Sequence, residues 1–237
     1  MRIVFCDDDN EILEQLQAYV ADFFARFGTA RPEYAVYQSG ETLLVREQQV
    51  DIAFLDVEMP GLSGINVGAR LKQQNPNVKI FIVTAYPDYL DEAMRFQVFR
   101  YLSKPIDKNR LFRNLKDAIY QYNMETIDYL VETEEGAVVC RAEHIVCVET
   151  DGRRCRIHTI NGTLDSTEHM EYWKNQLRLP CFYLSHRSFI INMKYVRSFD
   201  RDTILLGYRN CERKAYLTRR KYTQFKDSFL LYLESTK

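Results

Sequence analysis

Four groups of residues in this sequence could do chemistry together. Asp7, Asp8 and Asp9 follow the apolar segment Arg2-Ile3-Val4-Phe5-Cys6. Asp56 follows Asp51-Ile52-Ala53-Phe54-Leu55, Thr84 follows Lys79-Ile80-Phe81-Ile82-Val83, and Lys104 follows Arg100-Tyr101-Leu102. Carboxylates brought together from separate segments suit Mg2+, a hard cation that takes oxygen ligands, usually one or two carboxylates plus oxygens of a substrate. An ammonium and a hydroxyl beside them suit a phosphoryl group. Crowded carboxylates repel one another, and a divalent cation resolves that conflict. Each element alone means little, because an Asp-rich turn is ordinarily a solvated loop and a strand-terminal Asp is often a helix cap. Only their joint placement has weight.

That placement follows from the elements around them. Short apolar runs bounded by polar or Pro-containing turns read as strands covered on both faces. A further strand is expected at Glu33 to Tyr37. Between them run helical patterns, such as Ile12, Leu13, Leu16, Tyr19, Val20 and Phe23, or Leu111, Leu115, Ala118, Ile119 and Tyr122. Five strand-helix repeats predict an α/β doubly wound five-stranded parallel sheet. In such sheets ligands bind at the carboxyl ends of the strands, so the four groups converge on one crevice.

After Tyr122 the pattern becomes mostly β. Strand candidates lie at Val138 and Cys140, Ile145 to Val148, Cys155 to Thr159, Tyr195 to Phe199, Thr203 to Leu206 and Lys214 to Leu217, with turn signals at Asp151-Gly152 and Asn161-Gly162. Helices are expected near His169 to Leu177 and from Arg219 to Leu233, the latter with Tyr222, Phe225, Phe229, Tyr232 and Leu233 as a core stripe. The pattern gives a first domain at 1–122, a linker at 123–130 that lacks Pro and Gly and so is expected to be short and partly helical, and a second domain at 131–237.

Charge divides along the same line. Residues 1–125 hold 14 Lys and Arg against 18 Asp and Glu, and residues 126–237 hold 18 against 15, so a net charge of -1 conceals an acidic half and a basic one. Within Ser185 to Lys226 there are 11 basic residues against Asp200, Asp202 and Glu212. Basic side chains on loops are ordinarily a solvated face, but three clusters stand out as candidates for nucleic-acid contact. They are Arg153-Arg154 in the turn after Asp151-Gly152, His186-Arg187 before the apolar Phe189-Ile190-Ile191, and Arg219-Arg220-Lys221, which would open the last helix with its charge opposing the helix dipole.

Other classes are disfavoured. The longest apolar run is the five residues Phe229 to Leu233, against the ~20 a spanning helix needs, so no membrane segment is expected. Met1 leads directly into a strand-like segment with no secretory pattern, which predicts a cytoplasmic address. The six cysteines form no Cys-x-x-Cys pair and no zinc spacing, and read as reduced, mostly buried thiols. Ser185 and His186 are neighbours in sequence only, which is no basis for Ser/His/Asp catalysis.

The run Asp56-Val57-Glu58-Met59-Pro60-Gly61-Leu62-Ser63-Gly64, with Asp7-Asp8 before it and Lys104-Pro105 three residues after an aromatic, resembles the receiver domain of two-component response regulators over residues 1 to about 120. The resemblance implies a phosphoryl acceptor for a sensor histidine kinase, not a dedicated enzyme. Asp56 matches the acceptor; Asp7, Asp8, Asp56 and the backbone carbonyl of Glu58 match the Mg2+ ligands. Thr84 and Lys104 match the phosphate-contacting pair, Tyr101 the switch aromatic, and Pro105 a cis proline. Phosphorylation would draw Thr84 and Lys104 inward, let Tyr101 turn, and repack the face around the fifth strand. The segment Arg95 to Arg100 departs from the pattern by being bulky and basic. A haloacid-dehalogenase phosphatase also uses an Asp nucleophile with Mg2+, but it wants a second Asp where Glu58 stands.

The order of Ile145-Val146-Cys147-Val148-Glu149, a basic turn, Phe182 to Asn192, and Leu217-Thr218-Arg219-Arg220-Lys221 resembles the LytTR DNA-binding domain over about residues 130 to 237. This implies a transcription regulator that inserts loops into successive major grooves of direct-repeat promoter sites, forming a homodimer when phosphorylated. By matched position, Arg153, Arg154, His186, Arg187, Arg220 and Lys221 would touch DNA, with Ser188 and Asn192 open to a purely structural role. A phospho-switched regulator whose β domain binds protein or RNA is the alternative.

Overall fold

The computed structural model describes residues 1–27, 32–47, 49–86, 89, 98–209 and 211–235. The chain divides into two compact units, Met1–Tyr122 and Asn123–Lys237. No described helix is long and apolar enough to cross a membrane.

Unit 1 runs β1 (Arg2–Cys6), α1 (Asn10–Phe27), β2 (Glu33–Tyr37), α2 (Gly40–Arg46), β3 (Ile52–Leu55), α3 (Gly64–Gln74), β4 (Lys79–Thr84), β5 (Arg100–Ser103) and α4 (Lys108–Thr126). The strands form one parallel sheet in the order β2-β1-β3-β4-β5. Alternation along each strand feeds two cores. Val4, Cys6, Leu55, Ile80 and Ile82 pack with Leu43, Val67 and Leu71 on one face. On the other, Ile3, Phe5, Phe54, Phe81 and Val83 pack with Leu13, Leu16 and Val20 of α1 and Leu111, Leu115 and Ala118 of α4. Phe5, Phe54 and Phe81 stack across three strands at centroid separations of 5.4 and 4.7 Å. Each such side chain contributes about 1.5–3 kcal/mol on burial, which fixes strand order and therefore which strand ends meet. The segment Arg95 to Arg100 falls outside the described residues up to position 97, as does most of the stretch before it.

Unit 2 contains a hairpin of β6 (Asp128–Thr133) and β7 (Gly136–Arg141), then β8 (Ile145–Asp151), β9 (Arg154–Thr159), β10 (Gly162–Ser166), α5 (Met170–Gln176), β11 (Phe182–His186), β12 (Phe189–Asn192), β13 (Val196–Phe199), β14 (Thr203–Tyr208), β15 (Cys211–Tyr216) and α6 (Tyr222–Ser235). A five-stranded sheet, β10-β9-β8-β12-β11, and a three-stranded one, β13-β14-β15, share a core of Cys147, Phe189, Ile191, Ile204, Leu206, Ala215 and Leu217, with Phe225 of α6 added to it. The expected turns are where the backbone needs them: Gly152 has φ +61° and Gly162 φ +144°. Cys211 is exposed and the other five cysteines are buried, all unbridged.

In this half the structure departs from expectation in two places, strand β6 and Leu233. The linker expected at 123–130 is helical to Thr126, as its composition suggested, but strand β6 already begins at Asp128, with Tyr129 and Val131 turned inward against β7. Arg219, Arg220 and Lys221 form a 3-10 turn that runs directly into α6 at Tyr222, so the three basic residues stand at the positive end of the helix dipole, as expected. Leu233 is 39% exposed and is not part of the core stripe that Phe225 anchors.

Candidate functional site

The carboxyl ends of β1, β3, β4 and β5 meet in unit 1, and the three acids after β1 divide their work. Asp9 caps α1, its Oδ1 accepting from Glu11 N at 2.8 Å. Asp7 is 1% exposed, and its Oδ1 accepts from Asp9 N at 3.0 Å. Asp8 stays exposed. Oxygens of Asp7, Asp8 and Asp56 all lie within 4.8 Å of one another.

Asp56 is 6% exposed; its Oδ1 accepts from Val57 N at 2.8 Å and its Oδ2 from Lys104 Nζ at 3.0 Å. The same ammonium lies 2.8 Å from Asp7 Oδ2. That second contact is an ion pair without hydrogen-bond alignment, so Asp7 Oδ2 is buried with no hydrogen-bond donor aimed at it. Clustered carboxylate oxygens of this kind fit Mg2+, which usually takes one or two carboxylates and completes its shell with other oxygens. Burial raises the Asp7 carboxyl above its ordinary range, with Lys104 opposing. Burial also works against the charge on Lys104, but the two carboxylates outweigh it and hold the ammonium above its usual value.

Local chain geometry supports this arrangement. Ser63 caps α3, and at Gly64 a Cβ would sit 1.8 Å from the carbonyl oxygen of Asp56, so no larger residue fits there. The Lys104–Pro105 peptide is cis. Thr84 is 1% exposed, with its hydroxyl accepting from Tyr86 N at 3.3 Å and its carbonyl from Lys104 N at 2.9 Å. The Tyr101 hydroxyl donates to the Tyr86 carbonyl, and Tyr89 OH donates to the Glu58 carboxylate at 3.1 Å. Thus Asp7, Asp8, Asp56 and Lys104 form one cluster, with Thr84 on the adjoining strand end.

In unit 2 the basic candidates fall on three segments. Arg153 lies in the β8–β9 turn, and Arg154 beside it pairs with Glu134 of the β6–β7 turn. His186 and Arg187 lie at the β11–β12 turn. His186 Nδ1 accepts from Ser188 N at 3.2 Å, and its ring sits 5.9 Å from that of Tyr216. Arg220 is exposed in the turn before α6, whereas Lys221 Nζ donates to the Leu184 carbonyl at 2.6 Å and burial lowers its pKa. Asn192 is fully buried, donating to Ile145 O at 2.8 Å and accepting from Lys194 N at 3.1 Å, which makes it structural. Ser185 Oγ bonds Phe189 O and not His186.

Two family models match the chain: the response regulator receiver domain over residues 3–116 and the LytTr DNA-binding domain over residues 135–229. This chain is a receiver domain followed by a LytTR domain. Curated relatives have the same character. The transcriptional regulatory protein NatR of Bacillus subtilis (strain 168) is 24% identical over 239 residues, covering 97% of this chain and 99% of the relative. The transcriptional regulatory protein LytR of Staphylococcus aureus (strain bovine RF122 / ET3-1) is 25% identical over 205 residues, covering 80% and 82%. The sensory transduction protein LytT of B. subtilis (strain 168) is 26% identical over 166 residues, covering 64% and 67%. Among solved structures, the receiver domain of an HD domain-containing protein from Pseudomonas fluorescens Pf-5 matches at 24% identity and TM-score 0.45, over 51% of this chain and 88% of that one. The receiver-LytTR architecture is that of a transcriptional response regulator, a family of DNA-binding switches and not of dedicated enzymes.

The acidic partners of the LytTR arginines were not foreseen from sequence. Glu134 is 20 residues from Arg154, and Asp202 is 17 from Arg219. No local spacing signals either pair.

Proposed function

We propose that the receiver, residues 1–122, takes a phosphoryl group from a sensor histidine kinase onto Asp56, and that the LytTR domain, from about residue 131, answers by binding promoter DNA. The observation that carries this reading is the single ammonium of Lys104 bridging Asp7 and Asp56, 2.8 and 3.0 Å away, inside a three-carboxylate cluster at the strand ends. Asp7, Asp8 and Asp56, with the backbone carbonyl of Glu58, would hold Mg2+, which when bound offsets negative charge on the incoming phosphoryl group. Asp56 Oδ attacks phosphorus as the P–N bond to the donor imidazole breaks, and the imidazole leaves with a proton. Lys104 then has the phosphoryl oxygens as partners in place of a bare carboxylate, and Thr84 offers them its hydroxyl.

The phosphorylated state is favoured only by such differential contacts, with Tyr101 as the residue whose rearrangement reports it. The output is a homodimer whose two LytTR domains gain affinity on paired direct repeats through effective concentration, in the cytoplasm. The segments of Arg153 and Arg154, of His186 and Arg187, and of Arg220 and Lys221 are the DNA-facing set. Three loops on one β scaffold, each with arginine capable of bidentate contact with guanine or with phosphate, support that choice.

Incubation with acetyl phosphate and Mg2+ tests the first half. The chain should gain one base-labile phosphoryl group per molecule, and Asp56→Asn should gain none. Stoichiometric labelling of Asp56→Asn would remove Asp56 as acceptor.

A further inference from the structure

The basic side chains near the three DNA-facing segments differ in how they are held. Arg219 is engaged bidentately by Asp202, at 2.6 and 2.9 Å. Arg154 is engaged by Glu134. Among the described residues, no hydrogen bond or ion pair reaches the side chains of Arg153, Arg187 or Arg220. Each segment therefore presents one unengaged arginine, and in two of the three it stands beside an arginine already held by an acid.

The acids that hold them are themselves built in. Asp200 folds the β13–β14 turn by accepting from Asp202 N at 2.8 Å and from Thr203 N at 2.7 Å, and Asp202 O accepts from Leu217 N at 2.8 Å. The Asp202 backbone thus stands fixed beside the strand end that leads to Arg219, which places its carboxylate within reach of the guanidinium. Glu134 sits in the β6–β7 turn, closed by Thr133 Oγ1 donating to Gly136 O at 2.7 Å. Thr167 N anchors that hairpin to the rest of the unit by donating to Glu132 O at 2.8 Å.

We propose that Asp202 and Glu134 are latches on non-specific DNA affinity: they withhold Arg219 and Arg154 from DNA phosphate, leaving Arg153, Arg187 and Arg220 as the arginines that meet the duplex. The proposal rests on the DNA-reading role given above and narrows its residue set. Non-specific affinity comes almost wholly from cations on phosphate, and each phosphate neutralised adds about 0.9 to the salt slope, log K against log salt. Withholding two arginines lowers affinity for every sequence alike, so the latches reduce non-specific binding and its salt dependence while the ratio between a true site and random DNA stays the same.

The test is the salt slope for the full chain on random-sequence duplex DNA. Asp202→Asn should steepen the slope by about 0.9 through release of Arg219. The paired variant Arg219→Gln with Asp202→Asn should keep the wild-type slope, because the pair contributes nothing to it. Arg187→Gln should flatten the slope by about 0.9. Glu134→Gln, alone and with Arg154→Gln, should repeat the pattern. All four latch side chains are more than half exposed, so the fold should tolerate these changes, and unchanged melting temperatures check that. A flatter slope in the paired variant than in wild type would mean that Arg219 already contacts phosphate and would overturn the latch. So would an unchanged slope in Asp202→Asn. A wild-type chain that binds no duplex even at low salt would overturn the DNA reading itself, and the latch with it.

Discussion

Lys104 Nζ lies 3.0 Å from Asp56 Oδ2, joining the end of the fifth strand of the sheet to the end of the third across the intervening β4. The same ammonium neutralises Asp7, so one positive charge serves two buried carboxylates while a third, Asp8, stands within 4.8 Å. The site is under-neutralised by its own residues, and the first expectation concerns that deficit.

Lys104→Met should destabilise the receiver by about 1–3 kcal/mol without divalent cation, the range for leaving buried charge unpaired. Saturating Mg2+ should restore part of the loss, because it takes over the neutralisation. Urea melts with and without Mg2+ measure this; an equal loss in both would show that Lys104 and the cation do not share a task.

Glu47 gives a pH dependence elsewhere in the same unit. Its buried carboxylate accepts from Arg2 Nε at 3.0 Å and from the Tyr37 hydroxyl at 2.5 Å. Arg2 holds its pKa below the ordinary 4.5, against the opposing effect of burial. A carboxyl depressed in the folded state contributes stability that is complete above its unfolded value and lost as pH falls through the folded one. Glu47→Gln should therefore cost about 1–2 kcal/mol at pH 7, discounted because the Arg2 side chain is 31% exposed, and less below pH ~4. Denaturation at both pH values checks the sign; a penalty that grows in acid would contradict it.

Gly64→Ala should be costly although the residue opens an ordinary helix. Its Cβ would meet the Asp56 carbonyl oxygen at 1.8 Å, so the backbone carrying the acceptor must move. About 1–3 kcal/mol of stability and most of the acetyl phosphate labelling should be lost together. Full labelling would show that the site tolerates the shift.

His158 should make the LytTR domain acid-sensitive. It is 3% exposed, between Glu149 Oε2 at 3.1 Å and Thr163 Oγ1 at 3.2 Å. Burial lowers its pKa despite Glu149, and Arg213 lowers it further. Such a group leaves stability intact above its ordinary 6.5 and erodes it as pH falls below that value. His158→Gln should weaken the dependence between pH 5 and pH 7, read by thermal melts of the whole chain.

The receiver was legible because burial on both faces writes its strands as solid apolar runs. Ile52 to Leu55 and Ile80 to Val83 have no exposed member, and their polar ends became the site. The LytTR half was harder to read. Strand β6 begins inside the stretch taken for a linker: Tyr129 and Val131 point inward, but the exposed residue between them is the apolar Leu130, so the sequence shows a three-residue apolar run too short to separate strand from linker. The last helix is legible from Arg219 onward, but the ties of Arg219 to Asp202 and of Lys221 to Leu184 are not, because only tertiary structure supplies those partners. Spacing could mark Arg153, Arg187 and Arg220 as basic, but not as the unengaged ones.

The most direct measurement is the affinity of the full chain for DNA selected from a genomic library, taken with and without acetyl phosphate, in wild type and in Asp56→Asn. Phosphorylation at Asp56 should tighten wild-type binding to paired repeats and leave Asp56→Asn unmoved. An equal response in both, or selected DNA bound alike in all four conditions, would contradict a switch that runs from Asp56 to the LytTR domain.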